Sequence, residues 1–208
     1  MLEFKKQLSP DTTLIVWKMD EDLDQLAAQT NLDAIANFDQ LSPKRKKEKA
    51  FVNYLLQQQL PDARIDYEEG GRPFLPNYPG TSISISHTGN FASLLISKQY
   101  RKIGVDIEKN NTAKVLRVRH KFMTDEEVAL HPTADEGTDA LLAWTTKEAL
   151  FKLADPPHYD FIEGFRITAS TMNGNEGSSL VRDLMDDTTY EVRHWLTPDY
   201  ALTLCLHE

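Results

Sequence analysis

Residues 102–110 read KIGVDIEKN. Ile103, Val105 and Ile107 alternate with Gly104, Asp106 and Glu108, the period-two pattern of a strand. Side chains two apart on a strand stand roughly 6.5 Å apart on one face, so Asp106 and Glu108 point the same way. Carboxylates that close repel each other unless positive charge stands between them. One reading is an edge strand whose outer face is solvated beside a basic neighbour. The other is a pair of oxygen ligands for a hard cation such as Mg²⁺. The strand alone leaves both open. A third ligand, and something for a metal to act on, would separate them.

The chain of 208 residues suits one large domain or two small ones, and with 40% hydrophobic residues it can bury a core. A formal net charge of −9 argues against a nucleic-acid binder that relies on whole-protein charge. The lone cysteine, Cys205, rules out an intrachain disulfide framework, which fits a reducing cytoplasm. No apolar run approaches a membrane span, and the N-terminus lacks the apolar core of a secretory signal. The expectation is a cytoplasmic protein without membrane or nucleic-acid partners.

Outward from the opening stretch, TTLIVW at 12–17 reads as a strand and the polar segment 20–38 as a helix. Ser42 and Pro43 stand as N-cap and first residue of a stronger helix that Pro61 stops. Glycines and prolines between Tyr67 and Gly80 mark a loop. Residues 81–97 read as two strands about a Thr88-Gly89-Asn90 turn. Beyond the opening stretch, residues 113–130 and 137–154 read as helices, and strands are expected at 161–169, 189–196 and 199–207. This is an α+β pattern in two structurally similar halves, 1–100 and 101–208, a pseudo-dimer in which each half packs a helix on a small antiparallel sheet.

The helix GTDALLAWTTKEALFKLA at 137–154 is apolar almost all round, the mark of a buried helix. Glu148 and Lys152 fall one turn apart on one face, with Thr145 beside them. On a solvated helix such a pair adds only about 0.2–0.5 kcal/mol. In an apolar surround a charge pair is costly unless its remaining bonding capacity is used. That stripe wants a polar partner, and a metal with a phosphate would supply one. His87 ends the alternation of SISISHT at 82–88; it reads either as a structural histidine or as a donor to a phosphate, with Ser86, Thr88 and the Gly89 backbone around it.

GVDIE at 104–108, followed by WTTKEALFK at 144–152, resembles the two signature motifs of the 4′-phosphopantetheinyl transferases. GGRPFLP at 70–76 is similar to that family's Gly-Lys/Arg-Pro loop, ISISHTGNFASLLIS at 83–97 to its Ser-His segment, and HKFMTDEEVAL at 120–130 to its Phe-x-x-x-Glu element, here Phe122 to Glu126. Length and layout resemble the monomeric, surfactin-synthetase-activating type rather than the short trimeric type. One departure stands in the first helix. Relatives often carry an arginine shortly before its Leu-Leu pair, where this chain has Asn53 and Tyr54 before Leu55 and Leu56, with the bases Lys44 to Lys47 earlier.

The resemblance implies transfer of 4′-phosphopantetheine from coenzyme A to a serine of an acyl, peptidyl or aryl carrier protein, releasing 3′,5′-ADP. It implies Asp106, Glu108 and Glu148 as ligands of Mg²⁺, with Mn²⁺ as the alternative. Catalysis falls to Glu148, as proton acceptor, with Lys152 and Asp106. The coenzyme's phosphates fall to Arg72, Ser86, His87, Lys147 and Lys152, with the 3′-phosphate on His87. Trp144 is expected in the core. The first half would supply coenzyme contacts, the second the metal site and the carrier contacts, with the site between them and a monomer as the working form. An acidic carrier must meet an acidic enzyme, so recognition needs a local basic patch, for which Lys114, Arg117, Arg119, His120 and Lys121 stand ready, although a solvated helix face reads equally well. Two rival readings use the same acids: a Mg²⁺-dependent phosphohydrolase needing no protein acceptor, and a non-catalytic scaffold that binds carrier or coenzyme.

Overall fold

A computed structural model describes residues 1–154 and 160–208. The chain divides into two compact units, Met1–Arg101 and Lys102–Glu208. Each sets helices against antiparallel strands, which makes the protein α+β.

The first unit opens with a hairpin, β1 (Leu2–Ser9) and β2 (Thr12–Lys18). After α1 (Leu23–Ala27) come 3-10 turns at Leu32–Ala34 and Phe38–Gln40, then α2 (Pro43–Gln59), the short pair β3 (Asp66–Tyr67) and β4 (Pro73–Phe74), and the hairpin β5 (Ser82–Thr88) and β6 (Phe91–Ser97). The four-stranded sheet runs β1-β2-β6-β5. The start of α2 is the one expected: Ser42 Oγ accepts from Arg45 N, and Pro43 occupies the first turn. Its buried Ala50, Phe51, Leu55 and Leu56 join Leu94 and Ile96 of β6 in one core.

The single helix expected over 20–38 is broken instead. Asn31 Oδ1 takes the Asp33 amide at 3.0 Å, and the buried Asn53 of α2 donates to Thr30 Oγ1 at 2.9 Å and to the Asn31 carbonyl at 3.0 Å. These bonds give the backbone at 30–33 partners outside a helix. They also give Asn53 a structural task.

The second unit begins with β7 (Lys102–Lys109). Then come α3 (Thr112–Val118), a 3-10 turn at Arg119–Lys121, α4 (Asp125–Val128), α5 (Glu136–Ala154) and α6 (Phe161–Gly164). The strands β8 (Phe165–Asn173), β9 (Glu176–Asp183), β10 (Thr189–Leu196) and β11 (Tyr200–His207) complete it. The five-stranded sheet runs β7-β11-β10-β9-β8, so the strand with the opening acids pairs with the last strand of the chain, placing Asp106 opposite Thr203 and Gly104 opposite Cys205. Although β7 lies at a sheet edge, Ile103 through Ile107 are buried, which removes the solvated-edge reading.

Three local expectations change here. Residues 113–130 are not one helix, because Thr124 and Glu127 form a capping box that starts α4 afresh and Phe122 and Met123 turn inward before it. Residues 161–164 are helical rather than strand, because Asp160 Oδ1 caps the amides of Ile162 and Glu163. A further strand, β9, follows the turn at Gly174, whose φ of 60° is a left-handed conformation that glycine adopts freely. Among the described residues no helix is long and apolar enough to cross a membrane.

His194 lies fully buried in β10, hydrogen-bonded through Nε2 to Ser179 and through Nδ1 to Thr203. Burial pushes its pKa from the ordinary 6.5 down to about 4. The unfolded imidazole therefore takes up its proton first on acidification. The stability this group contributes is fully present above pH 6.5 and is lost as pH falls through about 4. Thermal unfolding followed by circular dichroism should show the midpoint falling from pH 7 to pH 4.5. His194→Gln should lose less over the same window; equal slopes in both proteins would contradict a histidine buried as the neutral base.

Candidate active site

The site grows from a close approach between β7 and α5. Gly104 lies so near the helix that a Cβ built on it would stand 1.9 Å from the Ala149 carbonyl oxygen and 3.2 Å from Leu153 Cβ. No side chain fits there. The face that carries Gly104 also carries Asp106 and Glu108, so the alternation read from the sequence turns the acids toward α5.

On that face Lys152 donates from Nζ to Asp106 Oδ1 at 2.6 Å and to the Val105 carbonyl at 3.0 Å. Asp106 is 4% exposed, while the Lys152 side chain keeps 26% of its surface open. Glu148, one turn before Lys152, is half-buried. Burial, then the charges of Asp106 and Glu108 against the opposing pull of Lys152, together lift its carboxyl pKa from 4.5 to about 7. Among the described residues, Asp106, Glu108, Glu148 and Lys152 are thus brought together in one electrostatic cluster.

Among the described residues no three acids or imidazoles already stand at metal-ligating geometry, and Lys152 is what holds Asp106. The donor chemistry nevertheless fits a divalent cation. The candidate donors are hard carboxylate oxygens, and Glu148, raised first by burial and then by the charges of Asp106 and Glu108, is a carboxyl that a cation would draw back to its ionised form.

Lys147 is a correction. The resemblance implies a phosphate contact, but Lys147 is 0% exposed and its ammonium is closed in an ion pair with Glu127, 2.8 Å from Oε1, with a further bond to the Phe161 carbonyl at 2.9 Å. Burial lowers its pKa and Glu127 opposes that shift. Glu127 in turn accepts from the amides of Ile167 and Thr124, each at 2.8 Å. The Phe-x-x-x-Glu reading needs the same revision. Glu126, 78% exposed, makes one long ion-pair contact among the described residues, to Arg166 at 3.6 Å, while its neighbour Glu127 is the acid built into the unit. A basic residue facing an apolar helix side was the available signal for this pair. Trp144 packs edge-on against Phe122 and Phe161, as expected of a core residue.

The expected coenzyme residues Arg72, Ser86 and His87 lie in the first unit. Arg72 follows a tight turn in which the Gly71 amide donates to the Glu68 carbonyl at 2.8 Å, with Gly71 at φ 84°. Ser86 is buried and His87 partly open on β5. The sequence reading missed Glu48. This buried acid of α2 stands 3.7 Å from Lys44 Nζ, from Arg45 Nη1 and from His87 Nδ1. It is the single acid within KRKKEK at 44–49, and that was its signal. In the second unit Lys114, Arg117, His120 and Lys121 are exposed, whereas Arg119 is paired with Glu136 at 2.9 Å.

The family model described as the 4′-phosphopantetheinyl transferase superfamily matches residues 102–205, half of the chain. The chain is also similar to the 4′-phosphopantetheinyl transferase Sfp of Bacillus subtilis (strain 168), with 32% identity over 94 residues, covering 44% of this chain and 41% of that protein. The match therefore spans less than half of that relative's length.

Replacing Gly104 by alanine should destabilise the second unit by about 3 kcal/mol or more, since the clash is with backbone rather than a movable side chain. Chemical denaturation checks this. A Gly104→Ala protein as stable as the wild type would contradict the packing described.

Proposed function

The chain belongs to the 4′-phosphopantetheinyl transferase superfamily, and from that premise we propose that it transfers 4′-phosphopantetheine from coenzyme A to a serine hydroxyl of an apo carrier protein, releasing 3′,5′-ADP. The observation that carries this reading is the cluster of Asp106, Glu108, Glu148 and Lys152, which falls on the family's two motifs and concentrates acid charge at one place.

Asp106, Glu108 and Glu148 would hold Mg²⁺ or Mn²⁺, which neutralises charge on the pyrophosphate when bound. The remaining work falls to side chains. Glu148 would take the proton of the attacking serine, directly or through a water. The serine oxygen bonds to the phosphorus that carries the pantetheine arm, and the bond from that phosphorus to the bridging pyrophosphate oxygen breaks. Lys152, partly open and bonded to Asp106, would stabilise the charge left on the departing 3′,5′-ADP. In the first unit Arg72, Ser86 and His87 would hold the coenzyme's phosphates, with Glu48 orienting His87. Lys147 has no part in this, since its ammonium is spent on Glu127.

An acidic carrier would dock on the exposed bases of α3 and the turn after it. Changing both Arg117 and Lys121 to Glu should raise the apparent KM for carrier by about ten-fold and leave that for coenzyme A alone. An unchanged carrier KM would remove this surface from the reading.

The reaction itself is tested by intact-mass spectrometry of apo carrier after incubation with the protein, Mg²⁺ and coenzyme A. The carrier should gain one phosphopantetheine, and Asp106→Ala should slow that gain by about a hundred-fold or more. Coenzyme A cleaved without any gain on the carrier would point to the hydrolase instead. Coenzyme A bound and intact, with no gain across acyl and peptidyl carriers, would point to a scaffold.

A further inference from the structure

A run of hydrogen bonds crosses the second unit from β8 to α5. Ser170 Oγ meets Ser179 Oγ at 2.8 Å, and Ser179 Oγ meets His194 Nε2 at 2.8 Å. His194 Nδ1 meets Thr203 Oγ1 at 3.0 Å, and Thr203 Oγ1 meets Thr145 Oγ1 at 2.8 Å. Thr145 Oγ1 ends the run by donating to the Leu142 carbonyl at 3.1 Å. Ser179, His194, Thr203 and Thr145 are buried, so these bonds have little competition from water.

With the Thr145 proton on the Leu142 carbonyl, donor counting gives the sense of the run. A hydroxyl carries one proton and a carbonyl none. Thr145 spends its proton on Leu142, so Thr203 donates to Thr145, and His194 Nδ1 carries the proton given to Thr203. Nε2 then accepts from Ser179, and Ser179 accepts from Ser170. Every proton is used once, and the imidazole is neutral with its hydrogen on Nδ1. A pKa pushed down to about 4 by burial agrees with that form.

The end of the run lies at the acid cluster. Thr203 is the register partner of Asp106, and Thr145 stands one turn before Glu148 on α5. Apolar packing is non-directional. It sets how deep α5 lies but leaves the helix freer to rotate about its axis. The Thr203–Thr145 bond is directional and acts on the turn that carries Glu148.

We infer that His194 is a positioning residue, which through Thr203 and Thr145 fixes the rotation of α5 and so holds Glu148 in register with Asp106 for the transfer step. This rests on the transferase reading above. His194 touches neither substrate nor reacting atoms. Its effect should therefore appear in the rate of the chemical step rather than in coenzyme binding.

The test compares Thr145→Val, Thr203→Val and the double variant with wild type in the carrier-loading assay. Each single variant should lose about ten-fold in kcat, with the KM for coenzyme A within about two-fold of wild type. The double variant should lose no more than either single, because both changes cut the same link. Thr145→Ser, which keeps the hydroxyl, should recover most of the lost rate. If the valine variants fail to fold, Ser179→Ala reads the run from its other end, with a smaller drop in kcat expected. Imidazole nitrogen shifts in the wild type should report the Nδ1–H tautomer. Single variants at wild-type kcat, additive losses in the double, or the Nε2–H tautomer would overturn the inference while wild-type transfer stands. A wild type that loads no carrier would instead overturn the transferase reading, and the inference with it.

Discussion

The close approach of β7 to α5 at Gly104 is the constraint from which the second unit follows. A glycine there lets a strand and a helix meet backbone to backbone, with the Ala149 carbonyl where a Cβ would otherwise stand. Because the helix lies that deep, Lys152 reaches Asp106 and the Val105 carbonyl together. The same depth removes water from Glu148 and places it in the field of Asp106 and Glu108. A larger residue at 104 would lift the helix and loosen all of these at once.

Much of this was legible in local patterns. The alternation of KIGVDIEKN gave the facing of Asp106 and Glu108, and one helical turn gave the shared face of Glu148 and Lys152, because both periodicities are properties of a single element. What was not legible depended on a second element. Glu126 and Glu127 are adjacent on a four-residue helix, and the capping box at Thr124 decides which of them turns inward. Lys147 sits on the wheel about one residue step from Glu148, and nothing in α5 alone says that this side meets Glu127. Strand β9 hid behind glycine and serines, residues depleted of strand signal, although Ser179 belongs to the buried hydrogen-bond run. Glu48 shows its role only once β5 brings His87 beside α2.

The two lysines of α5 differ in how completely their charges are met. Removing an ammonium and a carboxylate from water costs several kcal/mol each, so a buried pair persists only where its other bonds are made. Lys147 and Glu127 meet that condition with two backbone amides and a backbone carbonyl. Such a closed pair has nothing left to offer a ligand. Lys152 is different, since its one ammonium faces an excess of acid and part of its side chain remains open.

That contrast separates scaffold from site along α5 without appeal to motif. Thr145 is neutral and its hydroxyl is used fully, within a run of bonds that ends on the helix's own backbone. Lys147 is charged and its charge is balanced. Glu148 is neither, for its carboxyl sits near neutrality in pKa because burial and two neighbouring acids outweigh one lysine. An unbalanced group of this kind lowers the stability of the fold, since the same volume filled by apolar side chains would pack at no electrostatic cost. On the function proposed above, a cation meeting the acids and a phosphate meeting Lys152 would turn that imbalance to advantage. The polar residues of α5 whose bonds are complete hold the helix in place, and Glu148 and Lys152 are the ones left with bonding capacity to spare.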